Sequence, residues 1–113
     1  MLEGNILTPM GWIVGSLHLQ DGRIQRIEGS LGDPSHNDLP YLLPGFIDLH
    51  VHGGGGHDIM EGAAAFAAIA RTHLRFGTTS LLATTMTAPR EEISGVLGAL
   101  GEYCQAPRGQ AAR

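Results

Sequence analysis

The chain has 113 residues, 42% of them hydrophobic and 16% charged, with a net charge of −4. That length suits one ordinary domain with a modest core, and the balance argues against a disordered chain. No basic cluster is present, which argues against a nucleic-acid partner, and all seven cations are arginines, so neither a lysine Schiff base nor a lysine-derived metal bridge can arise within the segment.

A single cysteine, Cys104, excludes an internal disulfide and fits a reducing cytosol. No stretch approaches the roughly 20 apolar residues that span a bilayer, so no membrane partner is expected. Glu3, Gly4 and Pro9 interrupt any signal-peptide pattern. The expected setting is soluble and cytoplasmic.

Residues 1–43 read as short strands and turns. Trp12-Ile13-Val14 is β-prone, and Leu17 and Leu19 alternate with polar neighbours. Asp21-Gly22 is a two-residue hairpin signal ahead of the return strand Arg23–Ile27. Ile24 and Ile27 lie three apart, which breaks strict alternation and predicts a bulge or twist. Residues 29–40 read as a loop.

After Pro44 the pattern changes. Phe46–Val51 predicts a buried strand. Residues 61–76 predict an alanine-rich helix with Phe66, Ile69, Ala70, His73 and Leu74 on one stripe and Gly77 as its stop. Residues 78–84 predict a second strand. Thr87 is the expected cap of a second helix with Pro89, Glu91 and Glu92 in its first turn and Ile93, Val96, Leu97 and Leu100 on its apolar face. Strand, helix, strand, helix is the βαβα pattern of a parallel sheet. A (β/α)₈ barrel needs eight such units in about 250 residues. The chain stops where a third strand is due and therefore reads as an N-terminal fragment.

The candidate site is the end of the first of these strands. His50 and His52 are two apart, so in a strand both imidazoles point to one face. Taken alone, a His-x-His is often no more than two polar residues at a strand end. Here Leu49 and Val51 face the other way, and the pair sits at the carboxyl end of a parallel strand, where α/β folds place ligands. Metal ligation by His50 and His52 is the expectation, with Asp48 orienting an imidazole from behind. His57 reads equally as a substrate contact or a solvated loop residue. His73 reads as structural, and His18 and His36 have no partner that suggests chemistry. The run Gly53–Gly56 lacks a phosphate-loop fingerprint; it lets the backbone turn sharply or approach a metal-bound ligand.

Pro44-Gly45-Phe46-Ile47-Asp48-Leu49-His50-Val51-His52-Gly53 resembles the opening strand motif of the amidohydrolase superfamily. The glycine loop through Met60 and the segment Phe76-Gly77-Thr78-Thr79-Ser80-Leu81-Leu82-Ala83-Thr84-Thr85-Met86-Thr87 narrow the resemblance to its deacetylases of N-acetylglucosamine 6-phosphate. The resemblance implies an α/β fold: residues 1–43 as part of a small β-sandwich domain, and residues 44–113 as the first two β/α units of a metal-dependent TIM barrel. It implies a small amino-sugar phosphate as substrate, losing its N-acetyl group as acetate. It also implies a divalent metal ion, zinc or iron, and a homodimer for the complete protein. Only His50 and His52 carry over, as ligands of one metal position. The catalytic aspartate, the remaining ligands and the phosphate contacts are implied to lie beyond Arg113, so the fragment alone is expected to be inactive. The alternatives are another enzyme of the superfamily, acting on a cyclic amide or a nucleobase, and a stand-alone interaction module.

Overall fold

A computed structural model describes residues 1–105, and they divide into two compact units that meet in sequence at Pro44 and Gly45. The expected third strand falls outside the described residues.

In the first unit, β1 (Leu2–Thr8), β2 (Gly11–Gln20) and β3 (Arg23–Leu31) form an antiparallel meander. β4 (Tyr41–Leu42) joins it parallel to β1, giving the order β3-β2-β1-β4. The β2–β3 turn is the one expected from Asp21-Gly22. Both residues take positive φ, 52° and 73°, which matches the right-handed twist of the flanking strands. The irregularity in the return strand is also present. His18 pairs with Arg26 and Leu19 with Ile24, leaving Gln25 as the extra residue of a bulge. That bulge explains the odd isoleucine spacing. The extra residue restores phase, so Ile24 and Ile27 both share the face of Leu17 and Leu19, lining an apolar hollow with Ile6.

The expected loop begins later than its composition suggested, because cross-strand bonding carries β3 through Gly29, Ser30 and Leu31. Asn5 anchors the rest. It is fully buried, donates from Nδ2 to Asn37 Oδ1 and the Leu39 carbonyl (2.9 Å each), and accepts from Asn37 Nδ2 at 3.0 Å. This reciprocal amide pair satisfies a polar side chain that would otherwise be costly to bury.

In the second unit, β5 (Phe46–Val51) leads into a miniature hairpin, β6 (Gly53–Gly54) with β7 (His57–Asp58). A single 3₁₀ turn, Ile59–Glu61, and then α1 (Ala63–Leu74) come next. The first helix is shorter than residues 61–76. Gly62, at φ +80°, separates the 3₁₀ turn from the helix. Asp58 and Glu61 form a reciprocal capping box around that turn. Gly77, at φ +89°, supplies the expected stop. β8 (Thr78–Ala83) then pairs parallel with β5, and α2 (Arg90–Gln105) closes the unit.

The core gathers Val51, Ile59, Ala65, Phe66, Ile69 and Val96, with Phe66 meeting Tyr103 edge-on at 5.5 Å between ring centroids. Three further expectations need correction. β5 is not buried on both faces: Ile47 and Leu49 are 67% and 69% exposed. A parallel strand is enclosed only when flanked on both edges and covered on both faces, and among the described residues β5 has one partner strand. Leu97 is exposed, because α2 turns Val96, Ala99, Leu100 and Tyr103 inward instead. The carbonyl of Pro89 accepts from Glu92 and Ile93 at 3.1 Å, and no hydrogen bond from Thr87 caps α2 among the described residues. No described helix is long and apolar enough to cross a membrane.

Candidate metal centre

The last residues of β5 and the first beyond it carry the candidate site. Period-two alternation places His50 and His52 on one side, and their rings stand edge to face, centroids 4.7 Å apart. Their Nε2 atoms are 2.9 Å apart. The residue just beyond β8 holds the strand end: Thr84 N–H donates to the Val51 carbonyl at 2.7 Å. On the opposite side Ile59 N–H donates to the His52 carbonyl, also at 2.7 Å.

His52 Nδ1 lies 2.9 Å from the Thr84 carbonyl oxygen. A carbonyl can only accept, so Nδ1 carries the proton and neutral His52 keeps its lone pair on Nε2, turned toward His50. A ligating histidine commonly has its other nitrogen fixed in this way. Two Nε2 ligands on one tetrahedral zinc, at about 2.0–2.1 Å each, would be roughly 3.3 Å apart. The observed separation is close to that. The pair therefore fits a shared divalent cation in ligand type and spacing. Two ligands do not make a complete site, and among the described residues no group of three or more His, Cys, Asp or Glu gathers around a common point.

Asp48 does not orient either ring. Its Oδ1 accepts from the main-chain N–H of His50 at 3.1 Å, a local turn-like bond of the kind short polar side chains favour. His57 bonds through Nδ1 to Glu61 Oε2 at 2.9 Å, while Asp58 N–H donates to Glu61 Oε1 at 2.8 Å. The His57 bond, and after it that of the Asp58 amide, holds the Glu61 carboxyl below the ordinary range. His73 is structural, as expected: its Nε2 donates to the Gly53 carbonyl at 3.0 Å and ties the glycine loop to α1. His18 pairs with Glu28 at 3.0 Å, and His36 lies 4.0 Å from Asp33.

The glycines serve the sharp turn. Gly55 and Gly56 take φ +65° and +84°, and a Cβ on Gly55 would run into Thr72 Oγ1 of α1. The residues that sequence reasoning missed here are Thr84 and Glu61. Glu61 leaves a trace as the last residue of an Asp-x-x-Glu capping box and the fourth after His57. Thr84 acts on His52 through its main chain, for which no side-chain pattern exists.

The sequence profile of the Amidohydrolase family matches residues 41–113. The N-acetylgalactosamine-6-phosphate deacetylase of Escherichia coli O157:H7 is 37% identical over 102 residues, covering 88% of this chain and 27% of that protein. The N-acetylglucosamine-6-phosphate deacetylase of Bacillus subtilis (strain 168) is 47% identical over 57 residues, covering 50% of this chain and 14% of that protein. Among solved structures, the N-acetylglucosamine-6-phosphate deacetylase of Thermotoga maritima superposes with a TM-score of 0.76 at 28% identity. It covers 91% of this chain, which spans 27% of that one. The chain thus spans about a quarter or less of the length of these relatives.

Proposed function

Because this chain belongs to the amidohydrolase family, we propose that it is the N-terminal portion of a metal-dependent deacetylase of N-acetylglucosamine 6-phosphate. The observation that carries this reading is the convergence of the His50 and His52 Nε2 atoms, 2.9 Å apart, at a strand end in a chain similar to such deacetylases. In this reading residues 45–105 contribute the first two β/α units of a TIM barrel, and residues 1–44 contribute part of a small β-sandwich.

His50 and His52 would hold the ion, zinc or iron. When bound, such an ion polarises the amide carbonyl and lowers the pKa of a coordinated water toward neutrality. The chain's own part is positional. Thr84 holds His52 by its carbonyl, His73 holds the glycine loop against α1, and the exposed His50 presents its ring at the strand end. The third ligand, the general base and the sugar-phosphate contacts come from outside the described residues. The complete protein is read as a cytoplasmic homodimer.

The test is acetate release from N-acetylglucosamine 6-phosphate by the complete protein carrying this chain. Release should require a divalent metal, stop with chelator, and be lost in a His50→Asn/His52→Asn double variant. Turnover of a cyclic amide such as dihydroorotate, with none of the amino-sugar phosphate, would overturn the proposal. The Escherichia coli relative, matched over 88% of this chain, favours one second reading, the galacto epimer of the same substrate. Assaying both epimers side by side decides between them.

A further inference from the structure

Building on the reading of His50 and His52 as metal ligands, we propose that Thr84 is a positioning residue that presets the tautomers of the pair, so that only His50 must change tautomer when a cation binds. Thr84 sits one residue beyond β8, half-buried, and makes four bonds around the strand end. Its N–H donates to the Val51 carbonyl (2.7 Å) and its carbonyl accepts from His52 Nδ1 (2.9 Å). Its hydroxyl donates to the Leu82 carbonyl (3.1 Å) and accepts from Val51 N–H (3.3 Å). Side chain and main chain together fix where the accepting carbonyl lies.

The consequence passes along the pair. With the proton on Nδ1, neutral His52 has a lone pair on Nε2. The 2.9 Å contact between the two Nε2 atoms then needs a donor, and only His50 Nε2–H can supply it. The order is His50 Nε2–H to His52 Nε2, and His52 Nδ1–H to the Thr84 carbonyl. His52 already offers the nitrogen a cation would use. His50 does not: its proton must leave Nε2 and reappear on Nδ1, through solvent and with no net change in charge. No hydrogen bond engages His50 Nδ1 among the described residues, and the ring is exposed, so nothing obstructs that exchange.

The test uses the full protein carrying this chain, labelled with ¹⁵N-histidine, with long-range ¹H–¹⁵N correlation spectra metal-free and zinc-loaded. His50→Gln and His52→Gln variants assign the two rings. Metal-free, His52 should be the Nδ1–H tautomer and His50 the Nε2–H tautomer; zinc should convert His50 alone. Thr84→Val should weaken zinc binding about tenfold or more and let His52 populate its other tautomer, and Thr84→Ser should restore both. A purely structural role would weaken binding with the His52 tautomer unchanged, which would overturn the proposal. An Nε2–H His52 in the metal-free protein would overturn it too, while leaving ligation itself intact. Zinc that perturbs neither ring would overturn the ligand reading, and the switch with it.

Discussion

The two units hold themselves together by different means. Residues 1–44 bury one aliphatic side chain, Ile6, and one polar one, Asn5; their order comes mainly from strand pairing and an amide clasp. The second unit buries a contiguous apolar cluster between α1, α2, the 3₁₀ turn and the strand end that bears the histidines. The candidate ligands stand at the margin of the better-packed unit. A two-ligand site needs fixed geometry, and here the packing of Val51 and Ile59 fixes the main chain on either side of His52.

The largest test of that contrast is Ile69→Ala. Ile69 is 1% exposed, and its truncation should cost about 2–5 kcal/mol of stability, read from urea or thermal denaturation. Asn5→Ala comes next. It leaves the Asn37 amide and the Leu39 carbonyl without their partner, so about 1–3 kcal/mol should be lost, together with amide-exchange protection of Leu39. An Asn5→Ala loss equal to that of Ile69→Ala would erase the distinction between a clasped sheet and a packed core. Gly55→Ala should cost about 1–2 kcal/mol, because an L residue at positive φ is strained. The glycine loop should loosen with it, seen as faster exchange of the Ile59 amide that bonds His52.

The smallest effects are electrostatic, and each unit supplies one. Arg26 chiefly, then His18, lowers the Glu28 carboxyl below its ordinary pKa. His57 chiefly, then the Asp58 amide, does the same to Glu61. A carboxylate depressed on folding stabilises the fold above its unfolded pKa, and that contribution is lost as pH falls through the folded value. Melting temperature between neutral pH and pH 3 should therefore fall slightly less steeply in Glu28→Gln and Glu61→Gln than in the parent. Both groups are solvent-exposed, so these changes should be minor beside those of Ile69 or Asn5. A steeper acid dependence in either variant would contradict the assigned direction.

Much of this was legible because it depends on local rules. Asp21-Gly22 announces its turn through required positive φ, the spacing of Phe66, Ile69 and Ala70 announces a helix face, and the two-residue spacing of His50 and His52 announces a shared side. The hidden part depends on partners distant in sequence. β1 pairs along its length with β2 although its own sequence carries little alternation. Phe46, Ile47 and Leu49 look buried by type, yet burial depends on which strands and helices lie alongside. Leu97 shares the apolar periodicity of α2 but misses the face that α1 and the 3₁₀ turn accept. The Thr84 carbonyl that orients His52 belongs to the main chain, and any residue type would carry one.

The bulge at Gln25 makes β3 tolerant of a change in length at one place. Losing a residue from the middle of a strand normally inverts every side chain beyond the gap. Loss of Gln25 would instead convert the bulge into regular pairing, leaving Ile24 and Ile27 two apart and still facing Leu17 and Leu19. Loss of Glu28, three positions further on, would invert the strand end. In-frame single-codon deletions in this strand should therefore be accepted at residue 25 and rejected at 28, so this sheet has one built-in position where its gene can shorten.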